Sequence, residues 1–118
     1  MKYLLFCCTE EQKLDAMPQR ECEALMDETS AYCQALQKSG HLIVAEPLEP
    51  VEMAATVRVR NGTVSVTDGP FAETKEQIGG FFLINARDLN EAIQVASRFP
   101  SVRLGSMEVR PVRELHQQ

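Results

Sequence analysis

Two segments far apart in the chain, 2–8 and 79–85, are apolar at consecutive positions rather than at alternate ones. Successive side chains of a strand point to opposite faces. Tyr3-Leu4-Leu5-Phe6-Cys7-Cys8 and Phe81-Phe82-Leu83-Ile84 therefore present apolar surface on both sides. Such a strand is stable only where both faces are covered. The chain must then build a sheet with these two segments in its interior and apolar material against each side.

The rest of the pattern supplies part of that cover. After a polar loop, residues 18–39 place Cys22, Leu25, Met26, Tyr32, Cys33 and Leu36 at spacings of three and four, one stripe of a helix. Pro18 suits its first turn and Gly40 the position just past its end. His41 to Glu46 reads as a short strand closed by Pro47. Two strictly alternating runs, 56–60 and 63–67, flank Asn61-Gly62, a two-residue hairpin turn that needs positive φ at both positions. Pairing Arg60 with Thr63 sets Val59 opposite Val64 and Val57 opposite Val66 on one face, with Arg58 opposite Ser65 on the other. Asp68-Gly69-Pro70-Phe71 then breaks the strand. Asp88, with Glu91 three residues on, caps a second helix whose apolar face is Ala92, Ile93, Ala96 and Phe99, and Pro100 stops it. A last strand, from about Ser106 to Val112, precedes a polar tail.

The order is β-α-β, an inserted β-hairpin, then β-α-β. This predicts an α+β fold, a ferredoxin-like split βαβ arrangement in a single domain over 1–118. Segments 2–8 and 79–85 take its two central places. Helices cover only one face of such a sheet, and a second copy of the chain is the simplest cover for the other, which predicts a homodimer.

Charge narrows the partners. The net charge is −5, and the basic residues are scattered rather than clustered, so the chain is not expected to bind nucleic acid. The apolar run at the N-terminus is too short for a signal-peptide core or a membrane span, so a cytoplasmic location with no membrane contact is expected. The four cysteines, at 7, 8, 22 and 33, have no metal-ligand spacing and read as reduced thiols. With no phosphate loop, nucleophile elbow or zinc spacing, no cofactor and no metal is expected.

The segment from Thr67 through Asp68-Gly69-Pro70-Phe71 to Phe81 resembles the signature of the YCII-related proteins of DGPF type. The similarity extends to Thr56–Arg60 before it and Met107–Val112 after it. The resemblance implies a dimeric α/β barrel, two ferredoxin-like sheets packed face to face, and a link to sigma-factor regulation in bacteria. It also implies two alternatives to a binding protein: a cofactor-free lyase, isomerase or monooxygenase-like enzyme, and a protein-interaction module. Related proteins carry a His early in the first helix and an Asp near the end of the second. Here those stretches read Gln19-Arg20-Glu21-Cys22 and Ser97-Arg98-Phe99-Pro100, so that His/Asp chemistry does not carry over and no catalytic residue is assigned.

Six residues are candidates for binding a small polar ligand. Asp68, Glu73, Lys75 and Glu76 form the densest charged group, on a loop leading into a central strand, where a carboxylate beside a cation can act on a ligand. The competing reading is a turn scaffold with solvated charges. Glu108 and Arg110 share a face of the last strand and fit either an ion-pair wall or an edge that resists aggregation. Asp68 or Glu73 is expected to face a cleft floored by the strand that starts at Gly79, where the paired glycines admit a close neighbour. His41 and His116 lack a nucleophile at fixed spacing, and the cysteines read as inert core residues.

Overall fold

The computed structural model describes residues 1–115; His116 lies outside the described residues. Strand β1 (Lys2–Thr9) is followed by a short helix α1 (Glu11–Asp15) and the long helix α2 (Gln19–Lys38). Strand β2 (Leu42–Pro47) leads through a 3-10 turn at Val51–Met53 into the hairpin strands β3 (Ala55–Arg60) and β4 (Thr63–Asp68). Strand β5 (Gln77–Asn85), helix α3 (Leu89–Ser97), a 3-10 turn at Pro100–Leu104 and strand β6 (Gly105–Pro111) complete the fold.

Four strands form an antiparallel sheet in the order β2-β5-β1-β6, so both doubly apolar segments are central. The two strands β3 and β4 form a separate ribbon. Its register is the one that the Asn61-Gly62 turn dictates, with Val57 opposite Val66 and Val59 opposite Val64. Asn61 and Gly62 take φ of 52° and 76°, both in the left-handed region that this turn requires.

Helices α2 and α3 pack on one side of the sheet, over Tyr3 and Leu5 of β1 and Ile84 of β5. Phe99 joins the layers: it stacks on Phe82 at 4.0 Å between ring centroids and meets Tyr32 edge-on at 4.7 Å. The Tyr32 hydroxyl donates to the Val95 carbonyl at 2.7 Å and ties α2 to α3. At the end of α2, Gly40 N donates to Gln37 O and His41 N to Leu36 O, the paired bonds of a Schellman ending, with Gly40 at φ 80°.

Local differences from the sequence pattern have physical reasons. Pro18 precedes the first helical turn with an extended backbone, ψ 145°, instead of lying inside it. The apolar stripe of α2 is fully buried only toward its C-terminal end, at Leu36, and Met26 is exposed. On α3, Val95 takes the buried place expected of Ile93.

The opposite side of the sheet is uncovered. Leu4 and Phe6 of β1, Phe81 and Leu83 of β5, Val44 of β2, and Glu108 and Arg110 of β6 share it through the strand register. The molecule is flat, 50 × 47 × 19 Å. Its radius of gyration is 16.3 Å, against about 13.5 Å for a compact chain of this length.

Candidate functional site

The segment after β2 and the segment after β4 converge beside the sheet end where β1 finishes and β5 begins. Each is fixed by short-range bonds. Leu48 N donates to Gly79 O at 2.9 Å, and Val51 N donates to the Glu11 carboxylate at 3.1 Å, which seats the 3-10 turn. Gly69, at φ 104°, lets its N–H reach Ala54 O at 2.7 Å, and Thr56 Oγ1 donates to Gly69 O at 2.9 Å. The side-chain amide of Gln77 then donates to both Ala72 O and Thr74 O at 3.1 Å, pinning the charged loop against the start of β5.

Between the two segments lies a cleft of about 540 Å³, a volume suited to a small molecule. Leu48, Pro50, Val51, Met53, Phe71 and Ile78 make it predominantly apolar, and Glu49, Thr74, Glu76 and Gln77 are its polar members. It reaches Cys8, whose strand partners Ile78 and Ser106 place it on the uncovered face of the sheet. Glu76 Oε1 accepts a hydrogen bond from the Ser106 hydroxyl, so β6 fixes the direction of that carboxylate.

The six sequence candidates divide among four places. Glu76 lines the apolar cleft. Glu73 and Lys75 line a smaller depression of about 290 Å³ with Glu10, Glu11 and Gln12. Asp68 is exposed at the base of the hairpin, opposite Ala55. Glu108 and Arg110 form an ion pair on the uncovered sheet face, and the Arg110 guanidinium lies 5.3 Å from the centre of the Phe6 ring, in cation–π range. Gly79 and Gly80 floor a different cleft, of about 470 Å³, on the helix side with Cys7, Cys33 and Phe82. The close neighbour at Gly80 is the adjacent strand, since a Cβ there would stand 3.1 Å from Glu46 O.

Burial is the leading cause that pushes the Cys7, Cys8 and Cys33 thiols above the ordinary cysteine value, and at Cys8 the negative charges of Glu108 and Glu76 add to it. All four cysteines are free thiols. Raised thiols are poor nucleophiles at neutral pH. Among the described residues no group of three or more His, Cys, Asp or Glu could hold a metal ion, and no helix is long and apolar enough to cross a membrane.

Sequence reasoning passed over the apolar walls and Ser106. A signal for the walls was present: Leu48, Val51 and Met53 are apolar residues in a proline-bounded loop, and Phe71 is apolar in a turn. Ser106 carried no such signal, because its role depends on β6 lying beside β1.

Residues 1–116 match the YCII-related domain. The chain is 39% identical over 114 residues to an uncharacterized protein of Rhizobium meliloti (strain 1021), covering 95% of this chain and 92% of that one. A domain match over nearly the full length, joined to a relative of the same extent, makes this chain a member of the YCII-related domain family.

Proposed function

We propose that the protein is a homodimeric binding protein, built as a ferredoxin-like split βαβ unit whose open sheet face packs on that of a second copy as a dimeric α/β barrel. The cleft beside Glu76 takes the ligand. The observation that carries this reading is the position of the cleft: it opens onto the one sheet face that the chain leaves bare, next to a carboxylate directed by Ser106. Apolar walls with a single directed carboxylate favour a molecule that is largely apolar and ends in an ammonium or another strong donor. This refines the small polar ligand that the charged loop suggested. Free thiols support a cytoplasmic setting. Sigma-factor regulation is taken as the context on the strength of the resemblance alone.

Thermal unfolding with hexylamine and hexanoate as matched probes tests the ligand chemistry. Hexylamine is expected to raise the midpoint and hexanoate to leave it unchanged, and Glu76→Gln should abolish the shift without altering the dimer mass. Equal shifts with both probes, or none with either, would overturn the assignment.

The dimer rests on area. Four strands about 4.8 Å apart, each about seven residues at about 3.3 Å, make a face of about 450 Å². Two such faces have a flat footprint of about 900 Å², and because the accessible surface of pleated, side-chain-bearing faces exceeds their footprint, the contact is of the order of the roughly 1,200 Å² at the low end of specific interfaces.

A further inference from the structure

Of the six glycines, five have a reason that the backbone shows. Gly40, Gly62 and Gly69 take positive φ, and at Gly80 and Gly105 a Cβ would press on the main chain of the adjacent strand. Gly79 has neither reason. Its φ lies outside the left-handed region, and a Cβ there would meet only Thr9 Oγ1, at an ordinary 3.4 Å. It is the extra residue of a bulge in β5, since Cys7 pairs with Gly80 and Cys8 with Ile78. Glycine inside a strand weakens it and often marks a close approach of something else. What the missing side chain leaves at position 79 is open space in front of the Thr9 hydroxyl.

That space belongs to a larger one. The helix-side cleft of about 470 Å³ shares Cys7, Leu25, Gly79 and Ser101 with a neighbour of about 260 Å³ that reaches Thr9 and Leu14, so the two adjoin under the N-terminal half of α2. Thr9 is 4% exposed and is the one buried polar residue among those described, yet its hydroxyl bonds to none of them. The oxygen is not sealed off, and what remains of its surface opens into the cleft. A buried hydroxyl left without a partner is costly, and a ligand atom above Gly79 would remove that cost. The rest of the interior is uncharged: Leu14, Leu25, Met26 and Phe82 are apolar, and burial pushes the Cys7 thiol up, so it stays neutral. No Lys, Arg or His lines either part, Asp15 and Glu46 are exposed, and the Glu11 carboxylate is already taken by Val51 N.

We infer that this space is a second binding site, which takes an uncharged, largely apolar molecule whose carbonyl oxygen accepts the Thr9 hydroxyl above Gly79. An anion would find no counter-charge there, and any ion would lose its hydration against apolar walls. A ligand hydroxyl would bring a donor that those walls leave unmet, whereas a carbonyl brings acceptors alone. Leu48 and Pro50 stand between this space and the cleft beside Glu76, so the site does not rest on what binds there.

Acetophenone, ethylbenzene and benzoate are matched probes: the second replaces the carbonyl by a methylene and the third adds a negative charge. Titration of the full chain followed by amide NMR is expected to move the signals of Gly79, Leu25 and Ser101 with acetophenone and to leave those of Met53 and Phe71 in place. A dissociation constant on the order of 1 mM is expected for so small a molecule. Ethylbenzene should bind about fivefold more weakly, the worth of one hydrogen bond, and benzoate not at all. Thr9→Val keeps the shape of the side chain, so it should bring acetophenone down to the level of ethylbenzene. The same variant should unfold at a urea midpoint no lower than wild type, because the hydroxyl it removes has no partner in the chain. Gly79→Ala, whose methyl fits at the ordinary distance, should fold and lose the preference for acetophenone. Equal binding of acetophenone and ethylbenzene, binding of benzoate, shifts centred on Met53 and Phe71, or no binding by any probe would each overturn the inference. A Thr9→Val midpoint clearly below wild type would overturn it as well, since the hydroxyl would then be bonded within the chain. None of these outcomes touches the assignment of the cleft beside Glu76, which hexylamine tests separately.

Discussion

At the scale of single residues, the tightest constraint is space. Gly105 opens β6 where it crosses β1, and a Cβ there would lie 2.1 Å from Cys8 O and 3.0 Å from Thr9 Cα. Its φ of −176° is ordinary extended backbone, so conformational freedom is not the reason for glycine. The neighbour is main chain and cannot swing aside. Gly105→Ala is expected to cost at least about 3 kcal/mol in urea unfolding; a loss under about 1 kcal/mol would show that the two strands can separate cheaply. Glu91 supplies a pH-dependent term. The Arg87 amide donates to its carboxylate at 3.0 Å, and Arg87 Nη2 and His41 Nε2 each stand 3.3 Å away. That amide bond first, and the Arg87 charge and the His41 ring bond with it, hold the Glu91 carboxyl below the ordinary glutamate value, against burial acting the other way. A depressed carboxyl stabilises the fold above the unfolded value of about 4.3 and loses that contribution as pH falls through its lower folded value. Glu91→Gln should therefore lower the urea midpoint at about pH 7, and the gap to wild type should close as pH falls through the folded value of Glu91. A gap of the same size throughout would assign the effect to shape rather than charge.

At the scale of elements, the helices hold to the sheet through one aromatic junction. Phe99 is 1% exposed, and it touches both Phe82 beneath it and Tyr32 of α2. Phe99→Ala should cost about 3–5 kcal/mol, the range for emptying a large buried ring site. Tyr32→Phe keeps the ring contact and removes only the bond to Val95 O, so about 1 kcal/mol is expected. Thermal or urea unfolding of the two variants separates packing from hydrogen bonding. Comparable losses in both would mean that the hydroxyl, not the ring, anchors α2. The Asp88 cap is a smaller instance of local design: its carboxylate accepts from Glu91 N at 2.9 Å, and the capping pattern alone announced it.

For the whole molecule, the proposed dimer turns on the open sheet face. Phe6 lies at its centre, between Phe81 of β5 and Glu108 of β6. Phe6→Glu would set a second carboxylate beside Glu108 and a charge into the proposed interface, so light scattering should show the mass falling from dimer to monomer. The protomer itself should survive, because Phe6 lies outside the buried core. Loss of the folded protomer instead would show that Phe6 supports the sheet from within one chain.

The sequence determined whatever depends on neighbours along the chain. The period of two in 56–67 and the Asn61-Gly62 turn fixed the hairpin register to the residue, because only that pairing satisfies a two-residue turn. Gly40, Asp88 and the stripe of α2 marked helix ends and faces for equally local reasons. Consecutive apolar residues placed β1 and β5 at the sheet centre, because no edge can cover both faces. The site was another matter. Asp68, Glu73, Lys75 and Glu76 are near neighbours in sequence, yet they point to three different surroundings, because a loop without a repeat leaves each side chain's direction to its tertiary contacts. Gln77 bonding back to Ala72 and Thr74, and Ser106 reaching Glu76 across thirty residues, decided which carboxylate meets the apolar cleft. Only the assembled sheet brings Ser106 to Glu76, and no spacing along the chain encodes that distance.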